Sequence, residues 1–244
     1  MAALHLPRWL SRCGALSRRA AEQAVADGRV AVDGRICRDV LRTVQPGRSR
    51  VTLDGVPVAP VEKLWLALHK RRGMVTTTRD PEGRPTVMDA LGRYAGTPGL
   101  APVGRLDLDS QGLLLLTNDH VAAAALLDPT HHVSKLYRVK VGGHPSPDAL
   151  ARLTRGGMAF PDLDVGPLQS VVEVRRNPAS SWLEIALSEG KNRQIRRMCE
   201  AVGHPVETLI RVAFGAIELG DLAPGALREL AASEVAALTV PGRR

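Results

Sequence analysis

Residues 104–119 read Gly104-Arg105-Leu106-Asp107-Leu108-Asp109-Ser110-Gln111-Gly112-Leu113-Leu114-Leu115-Leu116-Thr117-Asn118-Asp119. Glycines bound a loop holding one arginine and two carboxylates, and the loop runs straight into four leucines, a buried strand's worth of apolar chain. Catalytic groups concentrate on loops held by rigid strands, so chemistry is sought here first. Read alone, the segment is equally an ordinary turn with solvated carboxylates.

To either side, strand and helix signals alternate without a regular βαβ repeat. Residues 66–69, 113–116, 137–141, 171–174 and 182–187 read as strands; 87–91, 121–127, 147–155, 194–202 and 232–238 read as helices. The pattern predicts an α+β domain with a mixed, mainly antiparallel sheet. Neither a Walker A pattern nor G-x-G-x-x-G occurs, so a nucleotide-cofactor fold has no support. Two prolines in residues 56–63 (VPVAPVEK) place a linker before the apolar run 64–68, which divides the chain into residues 1–60 and 61–244.

The first part has its own signals. Pro7 opens a short helix through Trp9 and Leu10 that Gly14 stops, and Ser17 is a candidate N-cap for a second helix from Arg18 to Asp27, with Gly28 as its left-handed stop. Val30 and Val32 alternate with polar neighbours before Asp33-Gly34; Val51 and Leu53 repeat this before Asp54-Gly55, and both dipeptides signal hairpins. The expected result is a helix–turn–helix followed by small β-ribbons. Arg18 and Arg19 fall in the second helix's first turn, where two cations oppose the dipole unless a phosphate sits between them. Two solvated arginines are the alternative.

Charge is distributed unevenly. Of 244 residues, 33 are Lys or Arg and 25 Asp or Glu, a net +8; only five of the basic residues are lysine. Residues 1–60 hold ten arginines against five acids, so +5 of the total lies in the first quarter. A planar guanidinium matches phosphate better than a point charge does, and this concentration favours a polyanionic partner over a merely solvated surface. A 44% hydrophobic content excludes a disordered tail. No apolar run approaches the roughly 18 residues of a membrane span. Arg8 and Pro7 interrupt the start where an export signal needs an unbroken apolar stretch. Cys13, Cys37 and Cys199 form no CxxC or Cys/His cluster, so neither disulfides nor zinc are expected and a cytoplasmic location is. The adjacent His131 and His132 lack a further ligand cluster and read as loop residues.

The run LSRCGALSRRAAEQAVADGRVAVDGRI resembles an S4 domain, a small RNA-binding module, over roughly residues 4–50. That resemblance implies that Arg12, Arg18, Arg19 and Arg29 contact the RNA backbone, positioning the protein without reading sequence.

For residues 104–119 two mechanistic readings compete. Asp107 and Asp109 could form a D-x-D pair of the haloacid-dehalogenase type, working with Mg²⁺. That signature wants an apolar strand before the first Asp and Thr or Val four residues after it, whereas Gly-Arg-Leu precedes Asp107 and Gln111 follows. The second reading fits better: the segment resembles the motif G-R-L-D-x-x-[TS]-x-G-L-L-L-[LF]-T-[NT]-D of the pseudouridine synthases, in the RsuA/RluB-type branch acting on ribosomal RNA. LHKRRGMVTTTRDPEGRPTVMDAL (68–91), KLYRVKV (135–141) and the run from Leu187 to Leu230 match in the expected order.

The resemblance implies cofactor-free, metal-free isomerisation of uridine to pseudouridine within ribosomal RNA or a pre-ribosomal particle. Asp107 would be the nucleophile, attacking C1′ of the ribose or C6 of the base. Tyr137 would stack on the uracil and help remove the C5 proton, and Arg196 would pair with the aspartate. Arg105 would contact phosphate or wedge into the site of the flipped base; Lys191, Arg193 and Arg197 would bind RNA. The residue types suit the chemistry: an ionised carboxylate can attack and later leave, a phenol both stacks and exchanges a proton, and the target base must first leave its stack. Without the resemblance, Tyr137 is equally a core aromatic; a solvated helix face is the alternative for Arg193, Arg196 and Arg197, but 193 and 197 are four apart while 196 points elsewhere, so one basic stripe does not explain all three. The wording of 189–197 favours the large-subunit branch, hence 23S over 16S RNA, and a monomer is expected. Ser110 replaces the usual threonine, and the proline common after the Lys70 position is missing. His120 stands where glycine is usual, a strained position if a positive φ is required. The alternative in another class is a non-catalytic S4 RNA-binding or ribosome-assembly factor.

Overall fold

The computed structural model describes residues 3–239 and divides into two compact units. One comprises the chain through Trp65 with Arg93–Ala101 and Thr117–His120; the other comprises Leu66–Gly92, Pro102–Leu116 and the chain from Val121 onward.

Local chemistry decides the first unit. Pro7 sits in the first turn of α1 (Leu6–Arg12), where its missing N–H costs nothing, and Gly14 turns the chain at φ +70°. Ser17 caps α2 (Arg18–Ala26), its Oγ accepting from Ala20 N at 3.2 Å. The helices bury Leu6, Trp9 and Leu10 with Ala21, Ala24 and Val25. Strands β1 (Val30–Val32), β2 (Arg35–Ile36), β3 (Val51–Leu53) and β4 (Val56–Pro57) form an antiparallel sheet in the order β2-β1-β3-β4. Asp33, Gly34, Asp54 and Gly55 all take φ between +51° and +82°, the type I′ hairpin geometry that Asp-Gly favours. Val56 and Pro57 had read as the start of a linker. They pair with β3 at a sheet edge, where proline is tolerated.

The second unit is built on one large sheet. Its strands are β5 (Trp65–Lys70), β6 (Gln111–Thr117), β7 (Lys135–Gly142), β8 (Ser170–Asn177), β9 (Ser180–Leu187), β10 (Val206–Phe214) and β11 (Leu227–Glu229), in the order β8-β9-β7-β10-β6-β5-β11. β7 runs antiparallel to both β9 and β10, β8 to β9 and β11 to β5, while β10 meets β6 in parallel. This is the mixed, mainly antiparallel sheet that the sequence implied. Leu113 through Leu116 are all fully buried in β6 and, with Val139, Leu183 and Ile185, form the core beneath the site.

At the parallel step Gly112 takes φ +108°, and a Cβ there would lie 2.3 Å from the Arg211 carbonyl oxygen. Only glycine fits. Helices α3 (His120–Leu127), α4 (Pro147–Arg155), α5 (Gln194–Ala201) and α6 (Ala232–Thr239) fall where expected. Residues 87–91, read as a helix, form only a 3₁₀ turn, Val87–Ala90, closed by a Thr86/Asp89 capping box. His120 begins α3 and is not among the positive-φ residues, so the strain considered for it does not arise. Strand β10 had no counterpart in the sequence reading.

Candidate active site

The loop before β6 is tied down along its backbone. Thr76 Oγ1 donates to Leu106 O at 2.7 Å, and Gly73 N donates to Leu108 O at 2.8 Å. Lys70, fully buried at the end of β5, donates from Nζ to the carbonyls of Asp107 (2.9 Å), Ser110 (2.8 Å) and Arg71 (3.2 Å). Burial pushes this ammonium down from 10.5 to about 8, the charges of Asp107 and Asp109 pulling the other way. Buried charge is tolerated here because three carbonyls receive its protons.

What the tethered loop presents is the Asp107 carboxylate, about one-third exposed, at a pocket of about 340 Å³. Among the described residues neither of its oxygens accepts a hydrogen bond, and its nearest cation is Arg193 Nη1 at 3.9 Å. Tyr137 lines the same pocket from β7. Arg211 faces it in register on β10, and Lys135 lies two residues along β7 on the same side. Lys135 Nζ donates to Ser188 O at 3.1 Å and lies 5.4 Å from the Phe214 ring centre; burial, with Arg211 nearby, lowers its pKa from 10.5 to about 8 against the pull of Glu189.

The expected pairing of Arg196 with Asp107 is not found. Arg196 sits on α5 with Nε 3.3 Å from Asp109 Oδ2 and Nη2 donating to Asp109 O at 3.1 Å and Ser110 Oγ at 3.3 Å; it does not line the pocket. Arg193, one turn earlier at the N-cap of α5, shares Asp109 with Arg196 and is the arginine that also comes within 3.9 Å of Asp107. The buried cation that does line the pocket with Asp107 and Tyr137 is Arg211, which the sequence reading passed over. It is 2% exposed, its Nε donates to Leu113 O at 2.7 Å, and its Nη2 has no hydrogen-bond partner among the described residues. The available signal was a lone charge inside the apolar run Leu209-Ile210-Arg211-Val212-Ala213.

The expected RNA contacts separate into groups. Arg105, Lys191 and Arg193 line the pocket. Arg105 is exposed with no partner among the described residues, whereas Lys191 binds Glu189 at 3.1 Å and the Asp164 carbonyl. Arg197 is turned elsewhere, onto Asp162 and 4.8 Å over the Phe160 ring. In the first unit Arg18 and Arg19 lie exposed at the start of α2, Arg18 3.6 Å from Glu22, and Arg12 is half-buried at the end of α1. Arg29 is already engaged, its Nε donating to Asp54 Oδ1 at 2.9 Å.

Comparison with known proteins gives this arrangement its family. Residues 64–201, which carry the tethered loop, Tyr137 and all of α5, match the family model described as RNA pseudouridylate synthase. The chain belongs to that family. The synthase also matches the S4 domain model over residues 6–48, the two helices and the first hairpin. It is 43% identical over 237 residues, 96% of this chain and 91% of the relative, to an uncharacterised RNA pseudouridine synthase of Mycobacterium leprae. It is 33% identical over 94% of its length and 93% of the relative's to ribosomal large subunit pseudouridine synthase B of Bacillus subtilis. A crystal structure of a pseudouridylate synthase superposes on 96% of the chain and 99% of that protein, with a TM-score of 0.68 and 25% identity. The protein is therefore an RNA pseudouridine synthase with an N-terminal S4 domain.

Proposed function

We propose that the enzyme converts a uridine of large-subunit (23S) ribosomal RNA to pseudouridine, with Asp107 as nucleophile. The observation that carries this reading is the Asp107 carboxylate, free of hydrogen bonds on a rigid loop and sharing a pocket with Tyr137 and Arg211. The uridine leaves its stack and enters the pocket. Asp107 attacks at C1′ or C6, the N1–C1′ bond breaks, the uracil turns and C5 joins C1′, and the bond to Asp107 breaks so that the carboxylate is regenerated. C5 then gives up its proton and N1 takes one, so the reaction is an isomerisation without redox change. Tyr137 stacks on the ring and assists the proton's departure. Arg211 takes the role first given to Arg196, offering Nη2 to the negative charge that moves between aspartate and base.

Residues 1–60 serve as the docking module and 61–244 as the catalytic domain of a cytoplasmic monomer. Arg12, Arg18 and Arg19 contact the RNA backbone there, while Arg29 stays on Asp54; Arg105, Lys191 and Arg193 contact RNA at the pocket and Arg197 beyond it. The preference for 23S RNA rests on the wording of residues 189–197 and on the large-subunit name of the Bacillus subtilis relative.

The test incubates the protein, in EDTA, with unmodified 23S and 16S transcripts and maps pseudouridine by carbodiimide treatment and primer extension. The expected result is a modification in 23S RNA that persists without divalent metal and falls by about 10³-fold or more in Asp107→Asn. RNA binding with no modification by the wild type would favour the assembly-factor reading, and a product confined to 16S RNA would overturn the substrate assignment.

A further inference from the structure

Arg193 stands beside two carboxylates and treats them unequally. Nη1 and Nη2 donate to the two oxygens of Asp109 at 3.0 and 3.1 Å, whereas the closest approach to Asp107 is 3.9 Å. A two-pronged guanidinium–carboxylate pair is the strongest arrangement an arginine can make, so Asp109 fills the fork. Burial alone would raise the Asp109 carboxyl; hydrogen bonding from Arg193 and the charge of Arg196 outweigh it and hold it below its ordinary range. Both partners are fixed from behind. Asp109 lies on the loop that Lys70 tethers at residues 107 and 110. Arg193 precedes the first turn of α5 at φ +48°, its carbonyl accepting from Arg197 N at 3.0 Å.

The unequal distances matter for the carboxylate that attacks. An oxygen that accepts short, charge-assisted hydrogen bonds has its lone pairs engaged and is a poorer nucleophile. A cation held at 3.9 Å still stabilises the anion, although water screens the pair, and leaves those lone pairs free. Resting on the reading of Asp107 as nucleophile, we propose that Asp109 is a positioning residue that occupies the Arg193 fork, so that Arg193 supports Asp107 electrostatically without hydrogen-bonding to it. With the Asp109 charge removed, the anionic acceptor left within reach is Asp107, two residues away on the same loop, and the guanidinium closes onto it. Arg196 keeps its bonds to the Asp109 carbonyl, Ser110 Oγ and Val206 O, none of which needs the carboxylate.

The test is a suppressor experiment with the near-isosteric Asp109→Asn, Arg193→Gln and the double variant. Single-turnover tritium release from transcript carrying 5-tritiated uridine is followed, with a melting curve for each protein. Asp109→Asn should lose on the order of tenfold to a hundredfold in rate at saturating RNA. The RNA concentration for half-saturation should change by less than about twofold, because no RNA-binding side chain is replaced and Arg193 stays paired with a carboxylate. Adding Arg193→Gln should bring the rate back up to that of Arg193→Gln alone, a recovery that a merely structural Asp109 would not give. A wild-type rate in Asp109→Asn, or a double variant no faster than it, overturns the proposal. A crystal structure of Asp109→Asn provides an arm independent of activity, and Asp109→Ser replaces it should that protein not fold. An Arg193 nitrogen within about 3 Å of an Asp107 oxygen is expected, and Arg193 still 3.9 Å or more away overturns the proposal even if no RNA substrate is turned over. Tritium release absent from the wild type on every transcript tells against the proposed function instead.

Discussion

Arg211 and Arg18 carry the same charge in opposite surroundings. Arg211 is 2% exposed and bonds a backbone carbonyl across a parallel strand step; Arg18 lies on the surface with a single loose contact, 3.6 Å, to Glu22. The contrast extends to the units around them. In the catalytic unit Lys70, Arg211 and Arg196 are taken out of water and spend their protons on the carbonyls of Asp107, Ser110, Leu113 and Asp109. In the S4 unit the apolar core holds no charge, and every arginine of residues 1–60 is exposed except the half-buried Arg12. Burial, rather than residue type, decides whether a cation shapes a site or reaches for a polyanion.

The largest effect that would test this contrast is expected at Lys70. Lys70→Met leaves three carbonyls without their donor, each costing about 1–3 kcal/mol. Removing the buried ammonium relieves part of that cost, so urea denaturation should show a net loss of about 1–3 kcal/mol. Pseudouridine formation should fall on the order of tenfold or more as the Asp107 loop loosens. An unchanged midpoint and rate would mean that the loop needs no tether.

The same lysines predict a pH dependence whose sign is fixed. Lys70 and Lys135 release protons at about 8 in the folded chain and at 10.5 when unfolded. From pH 8 upward the unfolded state therefore holds more protons, and stability rises. Above pH 9 the buried thiols work in reverse. Cys13 and Cys199, raised by burial from 9.0 to about 11 and about 12, keep protons that their unfolded forms lose, so the rise levels off. Urea midpoints on either side of pH 9 read both segments, and a monotonic fall from pH 8 would contradict them. Lys70→Met should remove about half of the rise, since one of its two sources is gone.

For the surface arginines the effects are smaller and of another kind. Arg18→Ala with Arg19→Ala should weaken RNA binding about tenfold and reduce the slope of log K against log salt by roughly two, without altering the single-turnover rate at saturating RNA. Binding curves identical to wild type would remove the docking role of α2. Arg29→Ala should change affinity by less than about twofold in the same titration, because its guanidinium is already committed to Asp54. A loss as large as that of the α2 pair would place Arg29 on the RNA.

Where local chemistry decides, residues were legible. The Ser17 cap, the Pro7 start and the two Asp-Gly turns each fix their own φ and ψ, and the six residues of 104–109 announced the loop. Legibility failed where partners come from afar. Strand β10 hid because Arg211 interrupts its apolar run, and the reason for a charge there, the Leu113 carbonyl and the pocket, lies 98 residues away. Arg196 was matched to the wrong aspartate because a run of arginines does not disclose which way a helix is turned. Pro57 read as a breaker, although a sheet edge accepts it.

Gly112 has a consequence for synthesis of the chain. It fits against the Arg211 backbone with no room for another atom, so the pocket's floor is complete only when β10 docks beside β6. Everything through Arg197 emerges from the ribosome before the strand that brings Arg211. Synthesis of the chain therefore delivers the S4 residues first and the pocket-lining residues Leu209, Arg211 and Phe214 near its end.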